Sequence, residues 1–294
     1  MKLRPTTQLT YKGVIKNHIK PTIGRKNIQN IRYSDCEALH VNLKNKKSAD
    51  TADFTLNLLS EIFDYAVEDD KIPRNPVIRK NRKPMPRFKE KSPKQPFMNE
   101  EEFVFWINDK NRLEGEWKVQ VALGGLAGAR LGEVCAFQWP DINFEMNTIT
   151  FNRKICHVTK KPADTKSHTG LGEPLRMLEG LSKILKEWKK DPRSGEVWLF
   201  PGKNGKYMSY NKIRSHWGHY FRKSHAKDFT GQAKGFHFHS LKHTHTQILE
   251  DRGYTDTEIN FLTRHTKRET TLKYLDVHNK DLEKKMKSTN LGII

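Results

Sequence analysis

The run "RKNRKPMPRFKEKSPKQP" at residues 79–96 divides the chain, because its four prolines and many basic residues exclude a packed helix. We interpret it as a basic linker between two domains, which a length of 294 residues allows. The expected domains are residues 1–78 and 97–294. The chain is therefore expected to build two separate cores.

Apolar residues recur at helical intervals before the linker. The segment "TADFTLNLLSEIFDYAVEDD" places Phe54, Leu58 and Ile62 on one helix face. Tyr65 and Ala66 continue that face, and the stretches "TTQLTYKGVIKNHIKPTIG" and "YSDCEALHVNLKN" have similar spacing. The first domain is predicted to be small and all-helical.

The second domain is predicted to mix helices and strands. Asn99 precedes an acidic turn in "MNEEEFVFWINDK", which is typical of a helix N-terminus. The runs "TITF", "KICHV" and "EPLRM" are strand-like, and the turn-rich "TKKPADTKSHTGLG" separates the last two. The expected fold class is mainly α with a small β-sheet, an α+β fold.

The charge of the chain indicates its partner. Fifty-four Lys and Arg against 34 Asp and Glu give a net charge of +20. Such a surplus points to a polyanion, most often nucleic acid, although a merely soluble basic protein stays open. Three cysteines without close pairing favour a reducing compartment. The sequence has neither a signal peptide nor a membrane-span run, so we expect a cytoplasmic protein without a membrane partner.

The stretch "FHFHSLKHTHTQILED" concentrates four histidines and a lysine. On a helix, Leu241 and His245 fall on a packing face, whereas His239 and Lys242 are neighbours on the opposite, presented face. His239 and His243 have the spacing of a zinc pair, but neither an HExxH glutamate nor a cysteine or carboxylate cluster completes a site. We expect no metal ion, and for this segment alone a purely structural role stays open.

Small residues precede an arginine in "LGGLAGARLGEV". Gly124, Gly125 and Gly128 would let backbones approach closely, so that Arg130 projects from a turn into the next helix. Glu133 is placed to hold its guanidinium. Taken alone, such a pair is more often a structural ion pair, and the glycines match no phosphate-loop motif.

The order of these segments resembles the tyrosine recombinase (phage integrase) family, whose catalytic half carries a "GLRxGE" box, a hairpin Lys, an "HxLRHT" box, a "GH" box and a Tyr. "GARLGEVCAFQWPDI" resembles the first box and "DTKSHTGLGEPL" the hairpin. "HSLKHTHTQIL" resembles the third box and "TRHTKRETTLKY" the last two. The resemblance covers nearly the whole chain. It implies the candidate catalytic residues Arg130, Lys166, His239, Lys242, His265 and Tyr274.

The resemblance also implies the chemistry. Tyr274 would be the nucleophile that cuts and rejoins DNA through a 3′-phosphotyrosine intermediate, with no cofactor. Arg130 and Lys242 would clamp the phosphate, the two histidines would hydrogen-bond to it, and Lys166 would protonate the leaving 5′ oxygen. Cleavage of a phosphodiester without a metal requires such a nucleophile, cations and an acid. On periodicity alone, Tyr274 would be an ordinary helix residue.

By the same resemblance, the first domain is a helical core-type DNA-binding domain and the second a catalytic domain. The expected function is that of a site-specific recombinase, the integrase of a phage or other mobile element. Its partners would be double-stranded DNA at attachment sites, three further copies in a homo-tetramer, and accessory DNA-bending or directionality proteins. A type IB topoisomerase-like strand-passage enzyme and a DNA-binding protein with an impaired site are the alternatives.

Two positions depart from the family pattern. Lys242 stands where an arginine is usual, which changes the geometry of the clamp. Thr263 and Arg264 replace the usual Leu-Gly before the histidine, and we expect this change to affect only helix packing. The apolar C-terminal residues Leu291, Ile293 and Ile294 are expected either to dock on a neighbouring copy or to fray.

Overall fold

The computed structural model describes residues 3–78, 84–88, 96–110, 113–164, 174–223, 236–264, 279–289 and 291–293. The chain forms two compact units, residues 1–94 and 95–294. Their boundary falls within the segment that composition marks as a linker. Residues 84–88 of that segment belong to the first unit, where Met85 is buried in the core. Part of the proline-rich basic run therefore packs as core structure.

The described part of the first unit is helical, as the sequence predicts. Its helices are α1 (Pro5–Val14), which continues as a π-helical turn over Ile15–Ile19, α2 (Tyr33–Lys46) and α3 (Ala49–Glu68). Ser48 starts α3, because its side chain accepts a hydrogen bond from the backbone N–H of Thr51. Helix α2 packs against α3 and closes the core.

Only some of the apolar residues along α3 are buried. Leu56, Leu59 and Phe63 are almost fully buried, whereas Phe54 and Tyr65 are 41% and 71% exposed. Of the residues that recur at helical intervals, Leu58 and Ala66 are buried. Periodicity alone does not show which apolar residues of a helix pack against its neighbours.

The second unit is built around the buried helix α5. Its helices are α4 (Glu100–Asn108), α5 (Gly115–Ala127), α6 (Leu131–Val134), α7 (Glu179–Lys190), α8 (Tyr210–Lys223), α9 (Ser240–Asp251), α10 (Asp256–Leu262) and α11 (Asn279–Ser288). Helix α5 packs against both α7 and α9 and is buried along most of its length. Across the described segments, no helix is both long and apolar enough to span a membrane.

The predicted start of α4 is confirmed by a reciprocal cap. The side chain of Asn99 accepts a hydrogen bond from the N–H of Glu102 at 2.8 Å, and the carboxylate of Glu102 accepts from the N–H of Asn99 at 2.9 Å. This capping box satisfies two N–H groups that the helix itself leaves without partners.

Short strands follow α6, and their order is β1 (Ile142–Asn143), β2 (Thr148–Thr150), β3 (Arg153–Ile155), β4 (Pro162–Asp164) and β5 (Pro174–Arg176). Strands β1, β2 and β5 form an antiparallel sheet in the order β1-β2-β5, and β3 and β4 form a separate hairpin. The strand-like runs "TITF" and "EPLRM" are confirmed by β2 and β5, whereas "KICHV" is a strand only at Lys154 and Ile155 and turns after Cys156. Strand β4 lies where only turn was expected, because pairing with β3 organises residues of low strand propensity.

The C-terminal segment packs on its own unit. Leu291 and Ile293 are buried, and the side-chain amide of Asn108 donates a hydrogen bond to the Gly292 carbonyl at 3.2 Å. Ile293 lies against Gly180, where an added Cβ would come within 3.0 Å of its side chain. The described tail is therefore seated rather than frayed. Ile294 lies outside the described residues.

Candidate active site

The turn between α5 and α6 presents Arg130. Gly128 caps the C-terminal end of helix α5, and its φ of +58° lies in the left-handed region that favours glycine. A Cβ at this position would also come within 2.8 Å of the His245 ring. Two residues later, Arg130 occupies the N-cap of α6 in an extended conformation. Gly128 thus allows the chain to turn between α5 and α6, and it allows this turn to lie close to α9.

Two further glycines bring neighbouring helices close to α5. A Cβ on Gly124 would lie 2.8 Å from the Leu241 side chain on α9, and one on Gly125 would collide with the ring of Phe103 on α4. The prediction that these small residues permit close backbone approach is confirmed. Helix α9, with its histidines and lysine, is thereby held beside the Arg130 turn.

Glu133 holds Arg130 by two hydrogen bonds, as the sequence predicts. Its carboxylate accepts from the Arg130 backbone N–H at 2.8 Å and from Nη1 at 3.0 Å. The side chain of Glu133 is 4% exposed, whereas that of Arg130 is 38% exposed. A guanidinium that is anchored from behind and open in front can accept an anionic ligand.

A second arginine shares the same carboxylate. Arg264 donates from Nη2 to Glu133 Oε2 at 3.2 Å, and both side chains are nearly inaccessible. Burial alone would raise the pKa of Glu133, but Arg264 and Arg130 outweigh it and hold the pKa below its usual value. Glu133 is therefore ionised at neutral pH, and the two guanidiniums together leave one positive charge in excess.

Arg264 is a site residue that the sequence analysis missed. It follows the end of α10 with a φ of +55°, and its side chain donates to the carbonyls of Ala127 at 3.1 Å and Gly128 at 2.9 Å. Its guanidinium carbon also lies 3.4 Å from the centre of the Phe151 ring. The expectation that this departure affects only helix packing is wrong. The available signal was an arginine where a helix end favours glycine.

Lys242 is buried, which corrects the prediction that it lies on a presented face. It is 1% exposed, and its Nζ donates to the carbonyl of Thr263 at 2.5 Å. Burial, followed by the charges of Arg264 and Arg130, lowers its pKa from 10.5 to about 6. Burial therefore favours the uncharged form of Lys242 in the free protein. Periodicity placed it away from α5 but could not show that the end of α10 covers it.

His239 lies at the start of α9 and is exposed. Partial desolvation, then the neighbouring His243 and Lys242, lower its pKa to about 4. The ring is therefore neutral at pH 7 and available as a hydrogen-bonding group. His245 differs, because it is buried against α5 and its Nδ1 lies 3.2 Å from the Gly125 carbonyl. The sequence correctly placed His245 on the packing face.

The structure brings together three of the six candidate residues, namely Arg130, His239 and Lys242, around one turn. The other three lie outside the described residues: Lys166, His265 and Tyr274. In sequence, Lys166 follows the last residue of β4 by two positions and His265 follows Arg264 directly. Within the ranges that the structure describes, no group of three or more His, Cys, Asp or Glu side chains is arranged to hold a metal ion.

Two family models match the chain. The model described as "Phage integrase family" matches residues 98–281, and "Phage integrase, N-terminal SAM-like domain" matches residues 1–43. The first match includes every candidate catalytic residue. The second lies within the helical first unit.

Two integrases with low sequence identity also match the chain. The ICEBs1 integrase of Bacillus subtilis is 25% identical, over 85% of this chain and 68% of its own length. The integrase of a Staphylococcus phage is 22% identical, over 92% of this chain and 85% of its own.

Among solved structures, the Tn1549 transposon integrase in complex with transposon right end DNA has a TM-score of 0.76 at 19% identity, covering 96% of this chain and 94% of that one. The lambda integrase tetramer bound to a Holliday junction gives 0.61 at 14% identity, covering 91% and 73%. Both have the same overall fold as this chain.

Proposed function

The chain belongs to the phage integrase family and is a site-specific DNA recombinase of a phage or other mobile element, and on this premise we propose how its site cuts DNA. Tyr274 attacks the scissile phosphorus through its phenolic oxygen. The bond from phosphorus to the 5′ oxygen breaks, and the 3′ end becomes linked to the tyrosine. Attack by a 5′ hydroxyl on this link reverses the step, so the strand is rejoined without ATP.

The anchored Arg130 is the observation that carries this proposal. Its guanidinium is open on one side and fixed on the other by the buried Glu133. A donor that is already oriented stabilises the charge developing on the non-bridging oxygens without reorganising during the reaction. Arg130 would therefore bind the scissile phosphate as a flat fork.

Lys242 and His239 would complete the phosphate site from α9. The charge of an incoming phosphate favours the protonated form of the buried Lys242, so that DNA binding restores its positive charge. A neutral His239 can donate one hydrogen bond to a phosphate oxygen. The role of His239 agrees with the exposure of its ring and with the proximity of the ring to Arg130 and Lys242.

Lys166 is proposed as the general acid. It would give a proton to the departing 5′ oxygen, while the phenolic proton of Tyr274 passes to a neighbouring base or to water. His265 is proposed as a further hydrogen-bond donor to the phosphate. The reaction requires no cofactor, because side chains supply every cation and proton.

We propose that the partner is double-stranded DNA at an attachment site, and that four copies of the chain act together. Residues 1–78, together with the packed residues 84–88, would form the core-type DNA-binding domain. The rest of residues 79–96 would be a basic linker, and residues 97–294 the catalytic domain. The lambda integrase tetramer on a Holliday junction supports a four-copy assembly as a proposal for this chain. Accessory DNA-bending or directionality proteins would assist, and the reaction would take place in the cytoplasm.

The test is covalent trapping of DNA. Fragments that become linked to the protein are recovered and sequenced, and the site is rebuilt as a nicked duplex that cannot be rejoined. The parent should form the adduct in EDTA, while Tyr274→Phe should form none and bind the duplex nearly as well, because the lost hydroxyl carries no charge. Tyr65→Phe, at an exposed tyrosine of the first unit, is the matched control. Adduct formation by Tyr274→Phe would exclude Tyr274 as the nucleophile.

A further inference from the structure

Arg264 ties together parts of the site that are far apart in sequence. Its guanidinium donates to the carbonyls of Ala127 and Gly128, at the end of α5, and to Glu133 in α6. The last carbonyls of a helix lack partners within the helix and carry its negative dipole end. A planar group with five donors can satisfy these carbonyls and a carboxylate together. Arg264 therefore fixes the two sides of the turn that carries Arg130.

The backbone conformation of Arg264 is strained, and the contacts of its side chain must compensate for this strain. Its φ of +55° is in the left-handed region, where a residue with a Cβ is strained and glycine is not. Backbone preference alone would select glycine at this position. Strain of this kind tends to persist where the surrounding contacts maintain it, often at functional sites. The contacts that maintain it are those of the buried guanidinium.

We propose that Arg264 is a positioning residue for DNA cleavage: it fixes Glu133, and Glu133 fixes the guanidinium of Arg130. The inference rests on the proposed role of Arg130 at the scissile phosphate. Both amino groups of the Arg264 guanidinium already donate to the carbonyls of Ala127 and Gly128 and to Glu133, so Arg264 would act through Glu133 and not by binding the DNA. Its loss would leave Arg130 present but free to turn, which lowers the rate of cleavage far more than the affinity for DNA.

The same geometry couples Arg264 to Lys242. The ammonium of Lys242 reaches the carbonyl of Thr263, directly beside Arg264, in a space that leaves Lys242 1% exposed. An arginine at position 242 would add a second bulky guanidinium to this buried space. On this inference the two departures from the family pattern form one exchange, in which position 264 supplies the buried guanidinium and position 242 the more compact amino group.

The main measurement is the single-turnover rate of adduct formation on the nicked duplex, with duplex affinity measured separately. Arg264→Gly suits the left-handed backbone and removes only the side chain. We expect it to cleave about 10²-fold more slowly, the loss typical of a misplaced or missing transition-state donor, while affinity changes by less than about threefold. Glu133→Gln should cause a similar loss, and the two losses should not multiply in the double variant.

A double-mutant cycle separates positioning from a general structural role. In an Arg130→Lys background, Arg264→Gly should cost little more, because the remaining ammonium no longer uses the fork that Glu133 orients. Lys242→Arg combined with Arg264→Gly should recover at least about tenfold of the lost rate, because it restores a single buried guanidinium. An equal loss in the Arg130→Lys background, or a double variant no faster than Arg264→Gly, would overturn the inference.

Two outcomes distinguish this inference from the proposed function. If Arg130→Met cleaves as fast as the parent, the proposed phosphate site is wrong. If Arg130→Met is slow and Arg264→Gly is as fast as the parent, only the role of Arg264 is wrong. If Arg264→Gly melts at a much lower temperature than the parent, Arg264→Lys is used instead and is combined with Glu133→Gln. If the two substitutions then lower the cleavage rate independently, so that their losses multiply, the proposal is contradicted.

Discussion

Buried charge is concentrated around Glu133. One carboxylate serves two guanidiniums, and a lysine with almost no exposed surface lies beside them. Burying charges costs more free energy than a well-packed apolar cluster would, so such a group is poor evidence for stability. Its excess positive charge suits a phosphate that arrives with the substrate. The site is therefore expected to be destabilising in the free protein and complementary to bound DNA.

At the scale of single residues, Lys242 makes this testable through pH. Its pKa is about 6 in the folded protein, against an ordinary 10.5 in the unfolded chain. Between these values the unfolded state holds a proton that the folded state lacks, so the free energy of unfolding rises with pH across this window. The free-energy cost of burying the protonated Lys242 is fully present below about pH 6 and disappears above about pH 10.5. We expect Lys242→Met to stabilise the protein more at pH 6 than at pH 9, measured by urea unfolding.

The exposed Lys190, on α7, provides the control. Lys190→Met should change the free energy of unfolding by nearly the same small amount at both pH values, since its ammonium stays in water in both states. If Lys242→Met also gave the same change at pH 6 and pH 9, Lys242 would have to be protonated in the folded protein. The proposed uptake of a proton on DNA binding would then be lost.

At the scale of elements, the close contact of α5 with α9 positions the site. Gly124 faces Leu241 at a distance that leaves no space for a Cβ. Gly124→Ala should gain about 1 kcal/mol of helix propensity but lose about 1–3 kcal/mol through overpacking. We expect a net loss in the free energy of unfolding and slower cleavage, because α9 carries His239 and Lys242. Urea unfolding and adduct formation measure the two effects.

Gly13, in α1, is the matched glycine for this test, since nothing lies within 4 Å of an added Cβ there. Gly13→Ala should stabilise the first unit by up to about 1 kcal/mol, because alanine loses less backbone entropy in a helix. Equal stabilisation by Gly124→Ala would mean that α9 is not held tightly against α5.

Local patterns predicted elements better than they predicted burial. The helix start at Asn99 and the pairing of Arg130 with Glu133 depend on residues three apart, and both were found from the sequence. The burial of Lys242 depends on a carbonyl 21 residues away, and the contacts of Arg264 span more than 130 residues. No periodicity encodes such contacts. For the same reason, the helical spacing of Phe54 on α3 did not show that its side chain is 41% exposed.

At the scale of the whole molecule, the excess positive charge is expected to dominate the binding of DNA. A net charge of +20 is spread over two units, and each arginine or lysine that neutralises a phosphate releases condensed counterions. This contribution is independent of DNA sequence, whereas recognition of an attachment site adds contacts to base edges. Binding and cleavage are therefore expected to respond differently to salt and to substitutions at the site.

The salt dependence of duplex binding tests this division. If the chain contacts about 6–10 phosphates, the association constant should fall by roughly 10³–10⁵ between 50 and 200 mM salt. Arg130→Met should reduce the slope of the logarithmic plot by about one, because it removes one phosphate contact. Tyr274→Phe should leave the slope unchanged, since it removes no charge. The contrary outcome is that Arg130→Met abolishes cleavage but keeps the full slope of the salt plot. Arg130 would then act in the reaction without contacting a phosphate in the bound state, and the proposed clamp would need another cation.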